Sequence, residues 1–224
     1  MVTFRPGQRV AMLSGGSINV IQGRATLHAA GGDWWQVAGK TCVAAYQPKG
    51  AASLAASYVN LANPGTYDAA PGVAPDWDAT AGWTGSIRYL TTGIVPASGW
   101  TVLIRFAGTA NGGALFGIEG ANRWNIFPSF FGTAYFRAGG EATTTGVSSG
   151  VIGMAGQQGY HNGSTYGGAI GTGSIGTSAL YLMALNNGGA TNQSTGWTFQ
   201  AVVIYSGTLT SGEVATVSSA MSGL

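Results

Sequence analysis

Three glutamates, Glu119, Glu141 and Glu213, are the side chains of this 224-residue chain most suited to acid–base chemistry, and their spacing argues against it. Glycoside hydrolysis needs two carboxylates flanking the scissile bond. None of the three lies near another acid in sequence, and Glu213 follows Thr210 at the spacing of a helix capping box. The two histidines, His28 and His161, have no serine in a strand–elbow–helix context to serve. Glycine runs such as Gly150-Val-Ile-Gly153 lack the Gly-Lys-Ser/Thr ending of a phosphate loop. The expectation is a chain that performs no catalysis.

Binding chemistry is better represented. Asp76-Trp77-Asp78 offers two carboxylates in one loop with Asp68 nearby, so Asp76 and Asp78 are candidate Ca²⁺ ligands, although alternate loop acids also cap turns. No other cofactor is expected. Seven tryptophans are many for this length, and sugars stack their C–H faces on exposed rings while neutral hydrogen-bonders beside the ring read the hydroxyls. Trp83, Trp100 and Trp197 sit at strand starts and read as core. Trp77, and Trp124 flanked by Arg123 and Asn125, are the candidates for exposed sugar contacts, with His161 beside a turn. Asn186 and Asn187, and likewise Asn192-Gln193, supply loop amides that ordinary turn chemistry would also explain.

The elements that must position these groups are mostly strands. In Trp100–Phe106, Trp100, Val102, Ile104 and Phe106 share one face, and Thr101, Leu103 and Arg105 share the other. Short strands follow at Ala114–Ile118, Arg123–Phe127, Thr133–Arg137, Val151–Met154, Gln158–His161, Ala179–Leu185 and Thr198–Tyr205. Asn162-Gly163 is a favoured two-residue hairpin turn. Two helices are expected. One covers residues 50–62, where Leu54, Tyr58 and Leu61 recur at helical spacing until Asn63-Pro64-Gly65 stops it. The other follows Thr210, with Val214, Val217 and Met221 on one face. The fold class is all-β, a two-sheet antiparallel jelly-roll sandwich with a short helix near 50–62 and a C-terminal helix. Two parts are expected: a basic N-terminal arm, 1–49, and the jelly-roll domain, 50–224.

Charge bears on partners. Charged residues are only 7% of the chain, against about 25% in an ordinary soluble domain. So few charges leave little repulsion between molecules, which points to assembly with sister subunits as a homo-oligomer. Residues 1–49 carry Arg5, Arg9, Arg24, Lys40 and Lys49 against Asp33, a net of +4, and no lysine follows. Arg5, Arg9 and Arg24 therefore mark a candidate assembly arm; a basic surface edge is the simpler reading. The aromatics are not interleaved with a basic stripe, so nucleic acid is not an expected partner. No apolar run is long enough to insert in a membrane. Cys42 is alone and reads as a buried small thiol. Met1 to Gly7 lack an apolar leader, so synthesis in a cytoplasm is expected.

Three stretches, in order, resemble the concanavalin A-like lectin/glucanase superfamily, in particular its laminin-G-like members. Trp100-Thr-Val-Leu-Ile-Arg-Phe106 is similar to the early core strand of that family, and Gly159-Tyr-His-Asn-Gly163 to its Tyr-x-Asn-Gly hairpin. Phe199–Tyr205, Ser206–Thr210 and Glu213-Val214 are similar to its last strand, turn and closing helix. The glucanases of the superfamily carry a Glu-x-Asp-x-x-Glu strand that this chain lacks. Tyr46–Lys49 through Ala56, Asn63-Pro64-Gly65 and Gly82-Trp83 resemble sequences of tailed phages and prophages. The resemblance implies a virion surface protein, associated with capsid decoration, tail or fibre and with other virion proteins. The alternative is a glycan-binding lectin module for attachment to a host or to mucus.

Overall fold

The computed structural model describes residues 33–109, 111–194 and 196–224. The chain divides into a unit Met1–Trp34 and a unit Trp35–Leu224, and the second is the sandwich. Arg5, Arg9 and Arg24 lie outside the described residues.

The elements, in chain order, begin with strand β1 (Cys42–Tyr46), helix α1 (Leu54–Ser57), β2 (Ala70–Val73), β3 (Asp76–Asp78), β4 (Gly82–Thr84) and β5 (Tyr89–Thr91). The middle of the chain forms β6 (Thr101–Ala107), β7 (Phe116–Ile118), β8 (Trp124–Phe130), β9 (Thr133–Ala138), β10 (Glu141–Thr145) and β11 (Ser149–Ala155). Then come β12 (Gln158–His161), β13 (Ser164–Ala169), β14 (Tyr181–Leu182), β15 (Leu185–Asn187), β16 (Ala190–Asn192), β17 (Thr198–Tyr205) and helix α2 (Ser211–Ser222).

Two sheets form the sandwich. The first has eight strands in the order β13-β12-β11-β6-β17-β4-β3, with β1 also paired to β17. The second has nine, in the order β10-β9-β8-β7-β14-β5-β2, with β15 joining β7 and β16 joining β15. Among the described residues every pairing is antiparallel except the β15–β7 bridge. Cys42–Tyr46 pairs along β17, so the sandwich takes in a strand upstream of the boundary expected at residue 50. Cys42 is a free thiol there, and burial pushes it up to about 12.

The core lies between the sheets and follows from strand parity. Val102, Ile104 and Phe106 of β6 enter it, as do Val202 and Ile204 of β17, while Trp124 and Ile126 of β8 and Ala134 and Phe136 of β9 come from the facing sheet. Trp83 donates its indole N–H to Ser57 Oγ at 2.7 Å, and Trp197 donates to the Gly113 carbonyl at 3.1 Å, so each polar tip is satisfied. Gly117 of β7 permits a close approach: a Cβ there would stand 2.1 Å from the Trp124 carbonyl oxygen.

The outward parity of β6 is buried as well. Leu103, Val151 and Val203 are fully buried although they do not face the inter-sheet core. Helix α2 packs on β6, β11 and β13 and turns Val214, Val217 and Met221 inward. Its capping box is the expected one, with Thr210 Oγ accepting from Glu213 N and the Glu213 carboxylate accepting from Thr210 N at 2.7 Å. Arg105 donates to the Met221 carbonyl at 2.9 Å and also to that of Leu224.

The helix expected over 50–62 contracts to the single turn Leu54–Ser57. The physical reason is Asn60. Its buried amide accepts from Ala45 N and Ala62 N and donates to the Val43 and Thr66 carbonyls, while its backbone N–H donates to Asp68. Those bonds tie the segment to β1 and to the next turn, and an i→i−4 ladder through it would break them.

Candidate functional site

The hairpin β8–β9 carries aromatic residues at both parities. Along β9, Ala134, Phe136 and Ala138 point into the core, which turns Thr133, Tyr135 and Arg137 to the opposite face. Phe127 of β8 lies directly across from Tyr135, and Arg137 lies across from Glu141 of β10. Phe127, Ala114 and Leu185 form a small second cluster on this outer face, with Phe130 and Tyr135 packed against it.

The side chains make a graded surface. The Arg137 guanidinium lies 4.7 Å from the Tyr135 ring centre and 5.1 Å from that of Phe127, within cation–π reach of both. Its Nε donates to the Glu141 carboxylate at 2.6 Å. Arg123 stands 3.9 Å from Glu119 and 4.0 Å from Glu141, so two guanidiniums and two carboxylates form one network. Phe130 meets Phe127 edge-on at 5.6 Å and Tyr135 at 6.0 Å. A cleft of about 180 Å³ opens here between the aromatic rings, Arg137 and Glu119 on one side and the exposed amides of Asn192 and Gln193 on the other. The Gln193 carbonyl accepts from Ala114 N at 3.0 Å, which ties the amide-bearing loop to the edge of the cluster.

Apolar ring faces beside convergent polar groups are the ordinary make-up of a small-molecule site. A ring face carries the negative part of the aromatic quadrupole, and the C–H bonds of a sugar's apolar face present positive ends to it. The Asn192 and Gln193 amides can donate to and accept from hydroxyls, and Glu119 can accept from them.

Most residues proposed from sequence lie elsewhere. Trp124 was expected to be exposed; it is 1% exposed and stands edge-on to Phe116 at 5.1 Å, because its parity in β8 faces the core. Asn125 is also buried, donating to the Ile118 carbonyl at 3.0 Å and to Glu119 Oε2 at 3.4 Å, so it steadies a cleft residue from behind. Asn186 is buried and spent on turn chemistry, donating to the Ala179 carbonyl and accepting from Gly189 N. Asn187 is exposed at the far end of the same β15–β16 hairpin, whose other end supplies Asn192. Trp77 and His161 belong to the other sheet: Trp77 donates its indole N–H to the Pro48 carbonyl, and the His161 ring lies 2.9 Å from the Ser149 carbonyl oxygen, beside Tyr166. Of the set, Arg123 joins the cleft's ion-pair network directly and Asn125 touches it through Glu119.

The acidic candidates do not converge. Asp76 is 3.6 Å from Arg88, Asp78 accepts from Thr80 and Ala81 within its own turn, and Asp68 accepts from Asn60 and Gly65. The turn's hydrogen bonds, that from the Thr80 hydroxyl foremost, hold the Asp78 carboxyl below its ordinary range. Among the described residues no three metal-ligating side chains cluster.

No family model and no curated relative matches the sequence. Solved structures do match. The sialidase of Trypanosoma rangeli in complex with sialic acid aligns over 82% of this chain with a TM-score of 0.54 and 16% identity. The same enzyme with 2,3-difluorosialic acid, a covalent intermediate, aligns over 82% with a TM-score of 0.52 and 16% identity. A leech intramolecular trans-sialidase aligns over 60% of this chain and 27% of its own, at a TM-score of 0.45 and 12% identity. The chain spans 33% of the length of the Trypanosoma enzyme. The shared feature is the fold, a jelly-roll-like β-sandwich.

Two findings correct the expectation of a chain without catalysis. The structures that share its fold are those of enzymes. The sequence separation of Glu119 and Glu141, on which the expectation rested, does not keep them apart: both lie within 4.0 Å of the one Arg123 guanidinium.

Proposed function

We propose that the Trp35–Leu224 sandwich binds glycans through the cleft on the outer face of the nine-stranded sheet. The observation that carries this reading is the cleft itself, where half-buried Phe130, Tyr135 and Arg137 stand beside the exposed Asn192 and Gln193 amides. A sheet face that served only the fold would be polar or covered. The sialidase of similar fold, in complex with sialic acid and with a fluorinated analogue, supports a carbohydrate as the ligand class. The finer placement, a laminin-G-like member of the concanavalin A-like superfamily, belongs to the same proposal. A glycan array followed by calorimetric titration tests it. Wild-type protein should bind members of the array, and Tyr135→Ala should lose at least tenfold in affinity; flat responses across the array overturn the reading.

A second proposal concerns where such a module works. With charged residues at 7%, the chain has little to keep copies apart, which favours a subunit of a larger assembly. Together with the phage-like segments, this supports a virion surface component, a decoration, tail or fibre-associated subunit with sister subunits and virion proteins as partners. Sedimentation of the purified chain should show self-association rising with concentration. A clean monomer at high concentration, with no affinity for particles, contradicts it.

A further inference from the structure

Two hairpins of this molecule turn with nearly the same backbone and different residues. Between β12 and β13 the turn is Asn162-Gly163, with φ of 49° and 81° between the paired His161 and Ser164. Between β8 and β9 it is Phe131-Gly132, with φ of 50° and 84° between the paired Phe130 and Thr133. Positive φ at both central positions is the type I′ geometry, which favours Asn-Gly because asparagine tolerates the left-handed region and bulky side chains do not. The first turn carries the residue the backbone wants. The second carries a phenylalanine that is 77% exposed. Its side chain contributes little to the core and strains the backbone, and strain of this sort concentrates at functional sites.

The position of the strained residue gives it a use. The Phe131 ring lies 4.8 Å from Phe130, edge-on, and Phe130 lies 5.6 Å from Phe127. Phe131 therefore adjoins Phe130, a wall of the cleft, and extends its aromatic surface out to the hairpin tip. The tip is braced on both sides. Phe131 N donates to Asn111 Oδ1 at 2.6 Å and Gly112 N to the Ser129 carbonyl, while Gly146 N donates to the Gly132 carbonyl and Val147 N to that of Pro128. A ring held on a rigid turn loses little freedom when a ligand covers it.

Charge narrows the ligand further. Arg137 and Arg123 are matched by Glu141 and Glu119 in one network, so the cleft offers no uncompensated cation to an acidic sugar. Its remaining hydrogen-bonding side chains, the Asn192 and Gln193 amides and the Tyr135 hydroxyl, are neutral.

Resting on the glycan-binding reading, we infer that the ligand is a neutral oligosaccharide longer than one residue, with Phe131 as the stacking platform of an outer subsite. Titration calorimetry tests this with neutral gluco-, manno-, galacto- and N-acetylglucosamine saccharides from mono- to hexasaccharide, and with lactose against sialyllactose. The proteins are wild type, Phe131→Asn and Tyr135→Ala. Wild-type affinity should rise with chain length. Phe131→Asn, which installs the favoured turn residue and keeps the fold, should lose about fivefold on the longest saccharide and nothing on the monosaccharide. Sialyllactose should bind no tighter than lactose. The inference is overturned if Phe131→Asn keeps the full length dependence, if affinity does not grow with length, or if the sialylated sugar is preferred. Tyr135→Ala separates the two levels: if it binds as wild type does, or if wild type binds none of the sugars, the cleft reading itself fails and the outer subsite falls with it.

Discussion

The two sheets of the sandwich treat their outer faces in opposite ways. On the eight-stranded sheet, Leu103, Val151 and Val203 face away from the inter-sheet core and are fully buried, and α2 lies on that sheet. On the nine-stranded sheet, Phe127, Phe130 and Tyr135 face outward, and among the described residues no helix packs on them. Both faces are apolar, but the second is closed only in part: Phe127 is buried, while Phe130 and Tyr135 stay half-buried at the cleft. The apolar residues of the first face therefore serve stability. Those of the second are held in place by an arginine, two acids and the edges of one another's rings, and Phe130 and Tyr135 keep part of their surface open to a ligand.

The contrast breaks most visibly under α2. Met221→Ala removes a fully buried side chain and should destabilise by about 2–5 kcal/mol, read by urea denaturation, while the folded fraction keeps its glycan affinity. On the open face the pattern reverses. Tyr135→Ala should cost at least tenfold in affinity, about 1.4 kcal/mol, with a smaller loss of stability than Met221→Ala. Phe131→Asn sharpens the contrast, because relief of the left-handed strain should raise stability by about 1 kcal/mol even as binding of long saccharides falls. A variant that gains stability and loses function is the signature of a residue kept for its ligand.

The smallest effect is acid sensitivity at the start of α2. The Thr210 backbone N–H, with Lys40 adding its charge, holds the Glu213 carboxyl below the ordinary range. A carboxyl lowered in the folded state contributes stability that is present above its unfolded value and is lost as pH falls through the folded one. The unfolding midpoint of wild type should therefore drop on acidification more than that of Glu213→Gln; parallel pH curves would remove the cap from the account.

Much of the covered half was legible in the sequence. Thr198–Tyr205 and Gln158–His161 form strands at the expected residues, the Asn162-Gly163 turn has positive φ at both positions, and the Thr210–Glu213 box is closed. These are local signals, written in neighbouring residues. The site was less legible because it depends on which parity faces the core. Trp124 looked exposed beside Arg123 and Asn125, but alternation sends it inward and sends Phe127 outward. One signal was available: Tyr135-Phe136 places aromatics at both parities of one strand, and the core takes only one of them. The meeting of Glu119 and Glu141 at Arg123 had no such local trace, since it is produced by strand order across β7–β10.

The central claim is that the uncovered face of the nine-stranded sheet is where a glycan sits. Amide and aromatic chemical-shift mapping of the ¹⁵N- and ¹³C-labelled protein, titrated with the neutral oligosaccharide that binds best, reads this residue by residue. The account predicts shifts confined to Phe127–Arg137, Glu119 and Asn192-Gln193, with α2 silent. Shifts centred instead on Trp77, His161 or the α2 face would contradict it.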